Sequence, residues 1–332
     1  MPDLASRLAS MPTPANTTPV GRLAPSPTGA QHVGNARTYL IAWLSARSRG
    51  GRVLLRIEDI DSPRVRAGAA AAACDDLRWL GLDWDGEPVV QTSRLSFYRS
   101  ALEFLRSCEL VYPCTCTRSD VGEAASAPHA EHEPPIYPGT CAGRRSADAE
   151  KLTQPYCWRF RVTDSPAFDD CFLGPTFVDL HKAGGDFVVW KMPPRDGGFS
   201  TPAYQLAVVV DDADQGVTQV VRADDLVTST PRQLLLYRAL GLRAPQFCHV
   251  PLVVGPDGRR LAKRHGDTRL SALREAGVSA PQLLGLLARS CGWLDQLQPI
   301  SATELIPRFR LETIPRCPFV LTSELLRGIG YG

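Results

Sequence analysis

The run Arg22-Leu23-Ala24-Pro25-Ser26-Pro27-Thr28-Gly29-Ala30-Gln31-His32-Val33-Gly34-Asn35 places a short β-type segment, a Pro/Gly turn and a helix start in direct succession. Asn35 is the expected N-cap, and the residues beyond it carry Tyr39, Leu40, Trp43 and Leu44 at helical spacing. A helix N-terminus offers unpaired backbone N–H groups and the positive end of the helix dipole, which suits a bound triphosphate. Gly34 would let a nucleotide approach the backbone, and His32 would set a donor beside its phosphates. Taken alone, His-x-Gly recurs by chance and implies only strand–turn–helix packing.

Two further groups of residues have chemical potential. Glu58 follows a β-rich run at 53–57, and Arg222 ends another at 217–221. Arginine suits bidentate binding of a carboxylate, so Arg22 and Arg222 together would favour an acidic substrate. Cys114-Thr115-Cys116, followed after a polar loop by Cys141, offers three thiolates to a tetrahedral zinc and leaves one position open. His129 and His132 in that loop are conventional donors for it. Cys74, Cys108, Cys157, Cys171, Cys248, Cys291 and Cys317 lie in apolar or scattered contexts and read as structural.

These residues must be held by a scaffold. From Gly21 to about Pro113 the pattern alternates strand (53–57) and helix (67–80, and 95–105 behind a Thr92-Ser93 cap), which predicts βαβ units and a parallel sheet. Ligands in such folds sit at the carboxyl ends of strands, where both Arg22 and Glu58 fall. Residues 114 to about 151 turn loop-like, and short β-type runs follow at 156–162 and 187–191. A second alternating block starts near Pro202, with apolar runs at 206–210, 217–221 and 249–254 and a helix after Thr230-Pro231. The remainder is helical in pattern at 270–276, 281–291 and 303–310.

Composition sets bounds. A chain of 332 residues with 44% apolar and 22% charged residues has the makings of a sizeable core and more than one domain. A net charge of +2 gives no global basic field for nucleic acid, but Arg37, Arg47, Arg49, Arg52, Arg64 and Arg66 form a local basic density that could meet phosphates. Ten cysteines are too few for a disulfide-stapled secreted scaffold. Residues 1–19, rich in Pro, Ala, Ser and Thr, read as a disordered leader and not as a signal peptide, and no apolar run reaches membrane-spanning length. A cytoplasmic protein with reduced thiols is expected.

The segment around His32 resembles the first signature of class I aminoacyl-tRNA synthetases, and its Arg-x-Ala-Pro-Ser-Pro-Thr-Gly lead-in resembles the glutamyl branch. Arg260-Leu261-Ala262-Lys263-Arg264-His265-Gly266 resembles the second signature, in the order the family requires. The resemblance implies a Rossmann-type parallel sheet, an α/β fold with a zinc-binding insertion and a short helical C-terminal stem region. The implied divisions are a leader (1–19), two halves of the catalytic domain (20–113 and 201–266), the zinc-binding insertion (114–200) and the stem region (267–332). It further implies that His32, Gly34 and Lys263 act on ATP, which brings Mg²⁺ with it. Arg22, Leu23, Ala24, Pro25, Ser26, Glu58, Tyr204 and Arg222 would form the glutamate pocket, with Glu58 on the substrate ammonium. Tyr137 is the fourth zinc ligand implied, beside Cys114, Cys116 and Cys141. Ala262 stands where the family has a hydroxyl, so weaker closure of the Lys263 loop is expected.

Residues 267–332 are too few for both a stem and an anticodon-binding domain, so the chain resembles the short paralogues that esterify queuosine in the anticodon of tRNA(Asp). The expected partners are glutamate, ATP and queuosine-bearing tRNA(Asp), with no membrane, and the protein is expected to be a monomer. Two alternatives remain at this point: a truncated enzyme charging the 3′ end of tRNA(Glu), and a silent RNA-binding paralogue, to which Ala262 lends support.

Overall fold

The computed structural model describes residues 18–27, 29–60, 65–117, 119–121, 136–193, 199–261 and 267–331. Residues 1–17 of the leader, Arg64, His129, His132, Ala262 and Lys263 lie outside the described residues.

The chain begins with β1 (Val20–Leu23), α1 (Val33–Arg47), β2 (Arg52–Ile57), α2 (Ala69–Trp79) and β3 (Val89–Val90). The three strands pair in parallel in the order β1–β2–β3, with Arg22 opposite Leu54 and Ile57 opposite Val90. α3 (Leu95–Ser107) leads to β4 (Val111–Cys114), β5 (Cys157–Phe160), β6 (Phe168–Asp170), β7 (Gly174–Thr176) and β8 (Phe187–Trp190). Here the sheet β4–β5–β8 is antiparallel, and β6–β7 form a separate hairpin. α4 (Tyr204–Asp214), β9 (Gln219–Ala223), α5 (Ser229–Ala239) and β10 (Gln246–Val250) restore the parallel arrangement. β9 stands beside β1, because Thr218 N–H donates to Val20 O at 2.9 Å and Val20 N–H donates to Thr218 Oγ1 at 2.9 Å. The chain therefore leaves β1 toward β2 on one side and meets β9 on the other. That reversal is the crevice in which a parallel α/β sheet binds ligands.

The last segments are β11 (Val253–Val254), α6 (Leu270–Glu275), α7 (Ala280–Ser290), α8 (Ala302–Leu305), β12 (Phe319–Val320) and α9 (Ser323–Gly328). They pack directly on the first half: Leu283, Leu287 and Leu305 share one apolar core with Leu40, Leu44 and Leu55. α1 is consequently buried on most of its circumference, which explains why it carries no single apolar stripe. Among the described residues no helix is long and apolar enough to cross a membrane.

Three local expectations need correction. The apolar run at 206–210 is helical and lies inside α4, where Leu206, Ala207, Val208, Val209 and Val210 are all buried. Burial on every side removes the periodicity that separates helix from strand, so a run of β-branched residues carries no decisive signal. His32, not Asn35, caps α1, and Asn35 occupies the third helical position, with its side chain bound to His32 N–H. Thr92 and Ser93 lie in a 3₁₀ turn before α3, whose start has no side-chain cap.

Candidate active site

A cleft of about 560 Å³ opens between the carboxyl ends of β1 and β9. It is lined by Arg22, Ala24, Ser26, His32, Gly34, Glu58, Tyr204 and Arg222, so residues far apart in the chain meet around one volume. Leu23 and Pro25 do not line it. Leu23 is fully buried in the core, and Pro25 is buried with its carbonyl accepting from Glu58 N–H at 3.0 Å.

The α1 end of the cleft is built by His32 folding back on its own helix. Its Nδ1 accepts from Gly34 N–H at 3.1 Å, while its backbone N–H donates to Asn35 Oδ1 at 3.2 Å. Val33 N–H is taken by Thr268 O at 3.0 Å. Two of the N-terminal amides expected to be open are thus occupied, Gly34 N–H by the histidine ring and Val33 N–H by Thr268 O. A ring that accepts at Nδ1 carries its proton on Nε2, so the donor offered to the cleft is Nε2–H. Burial first, and the Arg260 charge second, lower the His32 pKa and keep the ring neutral near pH 7. Gly34 is what the fold-back requires: a Cβ there would stand 3.0 Å from His32 Cε1 and 3.1 Å from Nδ1.

Below the cleft lies a buried ionic network absent from the sequence reading. Arg56, fully buried in β2, donates to Asp212 Oδ1 at 2.7 Å and to Glu58 Oε1 at 3.1 Å. Arg22 Nε lies 3.7 Å from the same Asp212 oxygen without a hydrogen-bond partner of its own. Asp211 beside it is held by Arg94, Tyr98 and Gln91. Burial raises the Glu58 pKa, with Arg56 and then Arg22 opposing that rise. Charges this deep persist only when each keeps its partners, so the network fixes where Glu58 and Arg22 point.

Arg222 is different. It is 4% exposed and, among the described residues, bonds only to neutral groups: His249 Nε2 at 3.0 Å, Thr230 Oγ1 at 2.8 Å, Tyr204 OH at 3.4 Å and Leu226 O at 3.4 Å. Burial lowers its pKa from the usual guanidinium value. Among the described residues no carboxylate forms an ion pair with it within 4 Å, and the Asp212 charge supports it only from farther away, so a direct counter-charge is left for an anionic ligand to supply.

A second cavity of about 920 Å³ shares Ser26, Glu58 and Tyr204 with the first and runs to Cys116, Arg159 and Lys191. At its far end the Sγ atoms of Cys114, Cys116 and Cys141 all lie within 4.8 Å of one another, Cys116 and Cys141 at 3.8 Å. With Zn–S bonds of about 2.3 Å, the edge of a tetrahedron is about 3.8 Å, so the spacing fits that metal. Tyr137 OH lies 3.4 Å from Cys114 Sγ and accepts Cys141 N–H at 2.8 Å, which places its oxygen beside the trio. Arg159 donates to Cys114 Sγ at 3.3 Å. A hydrogen bond with Cys157, followed by those from Tyr137 and Arg159, brings the Cys114 thiol down to about 4. Three cysteine sulfurs, a phenol oxygen and a neighbouring cation make a donor set suited to a structural metal.

Other expectations change. Cys108, Cys171 and Cys317 are exposed, and Cys157 sits opposite Cys114 in the β4–β5 register, beside the metal trio. Of the basic cluster, Arg37 is buried on Ser290 Oγ and Pro251 O, and Arg47 is paired with Asp83 and Asp85, so neither is free for RNA phosphates. Arg49, Arg52 and Arg66 are exposed. At the cleft rim Arg260 pairs with Asp225, a partner that sequence spacing gave no means of finding.

Residues 20–317 match the family described as tRNA synthetases class I (E and Q), catalytic domain. A protein of Rhodopirellula baltica named glutamyl-Q tRNA(Asp) synthetase is 49% identical, with 91% of this chain and 96% of that protein covered. One of the same name from Symbiobacterium thermophilum is also 49% identical, over 94% and 98%. The crystal structure of a glutamate tRNA ligase from Elizabethkingia meningosepticum in complex with its amino acid superposes with a TM-score of 0.78 at 25% identity, covering 94% of this chain and 69% of that one.

Proposed function

The chain belongs to the glutamyl-Q tRNA(Asp) synthetases, within the class I tRNA synthetase catalytic-domain family, and on that premise we propose that it activates glutamate with ATP and transfers it to queuosine in tRNA(Asp). The observation that carries the reading is the buried Arg222, without a carboxylate partner among the described residues, in a cleft whose opposite end is the His32-capped helix.

In this reading Arg222 and Arg22 hold the side-chain carboxylate of glutamate, and Glu58, fixed by Arg56, receives its ammonium. Tyr204, Ser26 and Ala24 wall the pocket, while Leu23 and Pro25 shape it through the backbone. The α-carboxylate oxygen attacks the α-phosphorus of ATP, an O–P bond forms, and pyrophosphate leaves with the electron pair. His32 donates Nε2–H to a phosphate oxygen, with Gly34 allowing its ring to sit there, and the α1 dipole adds to the favourable field. Lys263, outside the described residues, is the second cation proposed for the departing phosphates. A hydroxyl of the queuosine cyclopentene ring then attacks the glutamyl carbonyl, an ester forms, and AMP leaves with the electron pair as its phosphate takes up the hydroxyl proton. Mg²⁺ arrives with ATP. Cys114, Cys116, Cys141 and Tyr137 would hold Zn²⁺, which ties the 114–141 loop to β4 beside the second cavity. These substrates imply a cytoplasmic site of action.

Pyrophosphate exchange tests the first half-reaction. Glutamate and ATP alone should support it without tRNA, and glutamine should do so far more weakly. Absence of glutamate-dependent exchange would sink the proposal.

A further inference from the structure

Two buried groups that this mechanism does not use reach Arg222 from behind. His249 is fully buried on β10, and Asp170, 2% exposed, ends β6 of the hairpin inserted between β5 and β8 of the antiparallel sheet. A guanidinium Nε carries a hydrogen and never accepts, so the His249 Nε2 that meets Arg222 Nε at 3.0 Å is an unprotonated acceptor. The proton of the ring therefore sits on Nδ1 and is donated to Asp170 Oδ2 at 2.6 Å. The other carboxylate oxygen, Asp170 Oδ1, already accepts three backbone N–H groups: Phe172 at 3.0 Å, Leu173 at 2.9 Å and His249 at 3.1 Å. The backbone thus dictates which oxygen faces the ring. Thr230 Oγ1 accepts from Nη2 on the same edge of the guanidinium, leaving Nη1 beside the cleft-lining Tyr204 hydroxyl.

We propose that Asp170 and His249 are positioning residues for Arg222: a buried hydrogen-bond relay that fixes one imidazole tautomer, and through it the plane in which the guanidinium meets the substrate carboxylate. The proposal rests on the reading of Arg222 as the glutamate side-chain contact. It also gives the β6–β7 hairpin a role in specificity, since that hairpin brings Asp170 to β10, where Cys171 N–H donates to Phe247 O at 2.9 Å.

Asp170→Asn is the discriminating change, because it is nearly isosteric. Its amide oxygen must take the Oδ1 place to satisfy three N–H donors, so its NH₂ faces His249 Nδ1. That donor forces the proton to Nε2, where it turns to Thr230 Oγ1 at 3.2 Å and leaves Arg222 Nε–H without its acceptor. In pyrophosphate exchange the KM for glutamate should rise about tenfold or more, as expected when a buried donor loses its acceptor. Discrimination against glutamine should fall, and the KM for ATP should stay within about twofold of the wild type. Adding His249→Gln to Asp170→Asn should recover most of the glutamate KM, since a glutamine oxygen can again accept from Arg222. A merely structural role would move both substrates together and show no such rescue.

The ¹⁵N spectrum of the six histidines provides a readout independent of activity, with His249 assigned by its loss in His249→Gln. In the wild type at pH 7 it should show protonated Nδ1 and bare Nε2, and Asp170→Asn should invert the pattern. A wild-type Nε2–H tautomer, or an unchanged glutamate KM in Asp170→Asn, would refute the relay. Wild-type protein that gives no glutamate-dependent exchange would refute the functional reading instead, and the tautomer would still decide the relay.

Discussion

Gly34→Ala separates the stability of α1 from the placement of His32. The new Cβ would lie 3.0 Å from His32 Cε1 and 3.1 Å from Nδ1, with Val253 Cβ at 3.5 Å behind it. Ordinary carbon contacts fall at about 3.5–4.0 Å, so the ring must withdraw by roughly half an ångström. The backbone at residue 34 is helical, and replacing Gly by Ala there favours the helix by up to about 1 kcal/mol. Loss of the Nδ1 contact with the residue 34 N–H offsets that by a similar amount, about 1 kcal/mol. Net stability is therefore nearly unchanged, and Tm should stay within about 3 °C of the wild type. Chemistry is less tolerant. Because Nε2 lies on the far side of the ring, a tilt of that size displaces the phosphate donor by roughly as much or more, and small misplacements of this kind cost up to about 10²-fold. The kcat of glutamate-dependent pyrophosphate exchange should fall about 10- to 100-fold, with the KM for glutamate held within about twofold. Full kcat in a folded variant would show that the position of His32 does not matter to the reacting phosphates.

Further outcomes follow from the same geometry. Arg222→Met should leave the protein folded, because it removes a buried cation that has no carboxylate partner among the described residues, yet raise the KM for glutamate about 10²-fold or more; an unchanged KM would remove Arg222 from the pocket. Purified protein should carry one zinc per chain, lost on chelation with a fall in Tm, and Tyr137→Phe should bind zinc more weakly. Metal analysis after metal-replete growth that finds none would refute the site. The His32 pKa is lowered in the folded chain, so as pH drops through 6.5 the unfolded chain takes up a proton that the folded chain refuses, and stability falls. Denaturant unfolding of wild type and His32→Gln at pH 7.5 and 5.5 should show the wild type losing stability relative to the variant at the lower pH, and a parallel response would contradict the assignment.

How much of this was legible in the sequence depends on the range of each interaction. The strand–turn–helix around His32 was readable because its signals are local: a β-type run, Pro and Gly, then apolar residues at helical spacing. The βαβ alternation was readable for the same reason, and it places Arg22, Glu58 and Arg222 at strand ends. What escaped was whatever depends on distant partners. Arg56 and Asp212 look like surface charges until β2 and α4 bring them to 2.7 Å. Arg37 reads as part of a basic patch until α7 covers it with Ser290. Asp170 and His249 lie far apart in the chain, the first in an unremarked segment and the second at the start of an apolar run, and only the packing of the β6–β7 hairpin on β10 joins them. Asn35 was a sensible cap by residue type, but a histidine ring folded against a glycine took the position.

The acceptor of the activated glutamate is decided by a single labelling experiment. The protein should be incubated with labelled glutamate, ATP and two preparations of tRNA(Asp), one bearing queuosine and one made without it, each before and after enzymatic trimming of the 3′ end. Label should enter only the queuosine-bearing tRNA and survive trimming. Label that disappears on trimming, and enters tRNA lacking queuosine equally well, would show that the 3′ end is the acceptor and would contradict transfer to queuosine.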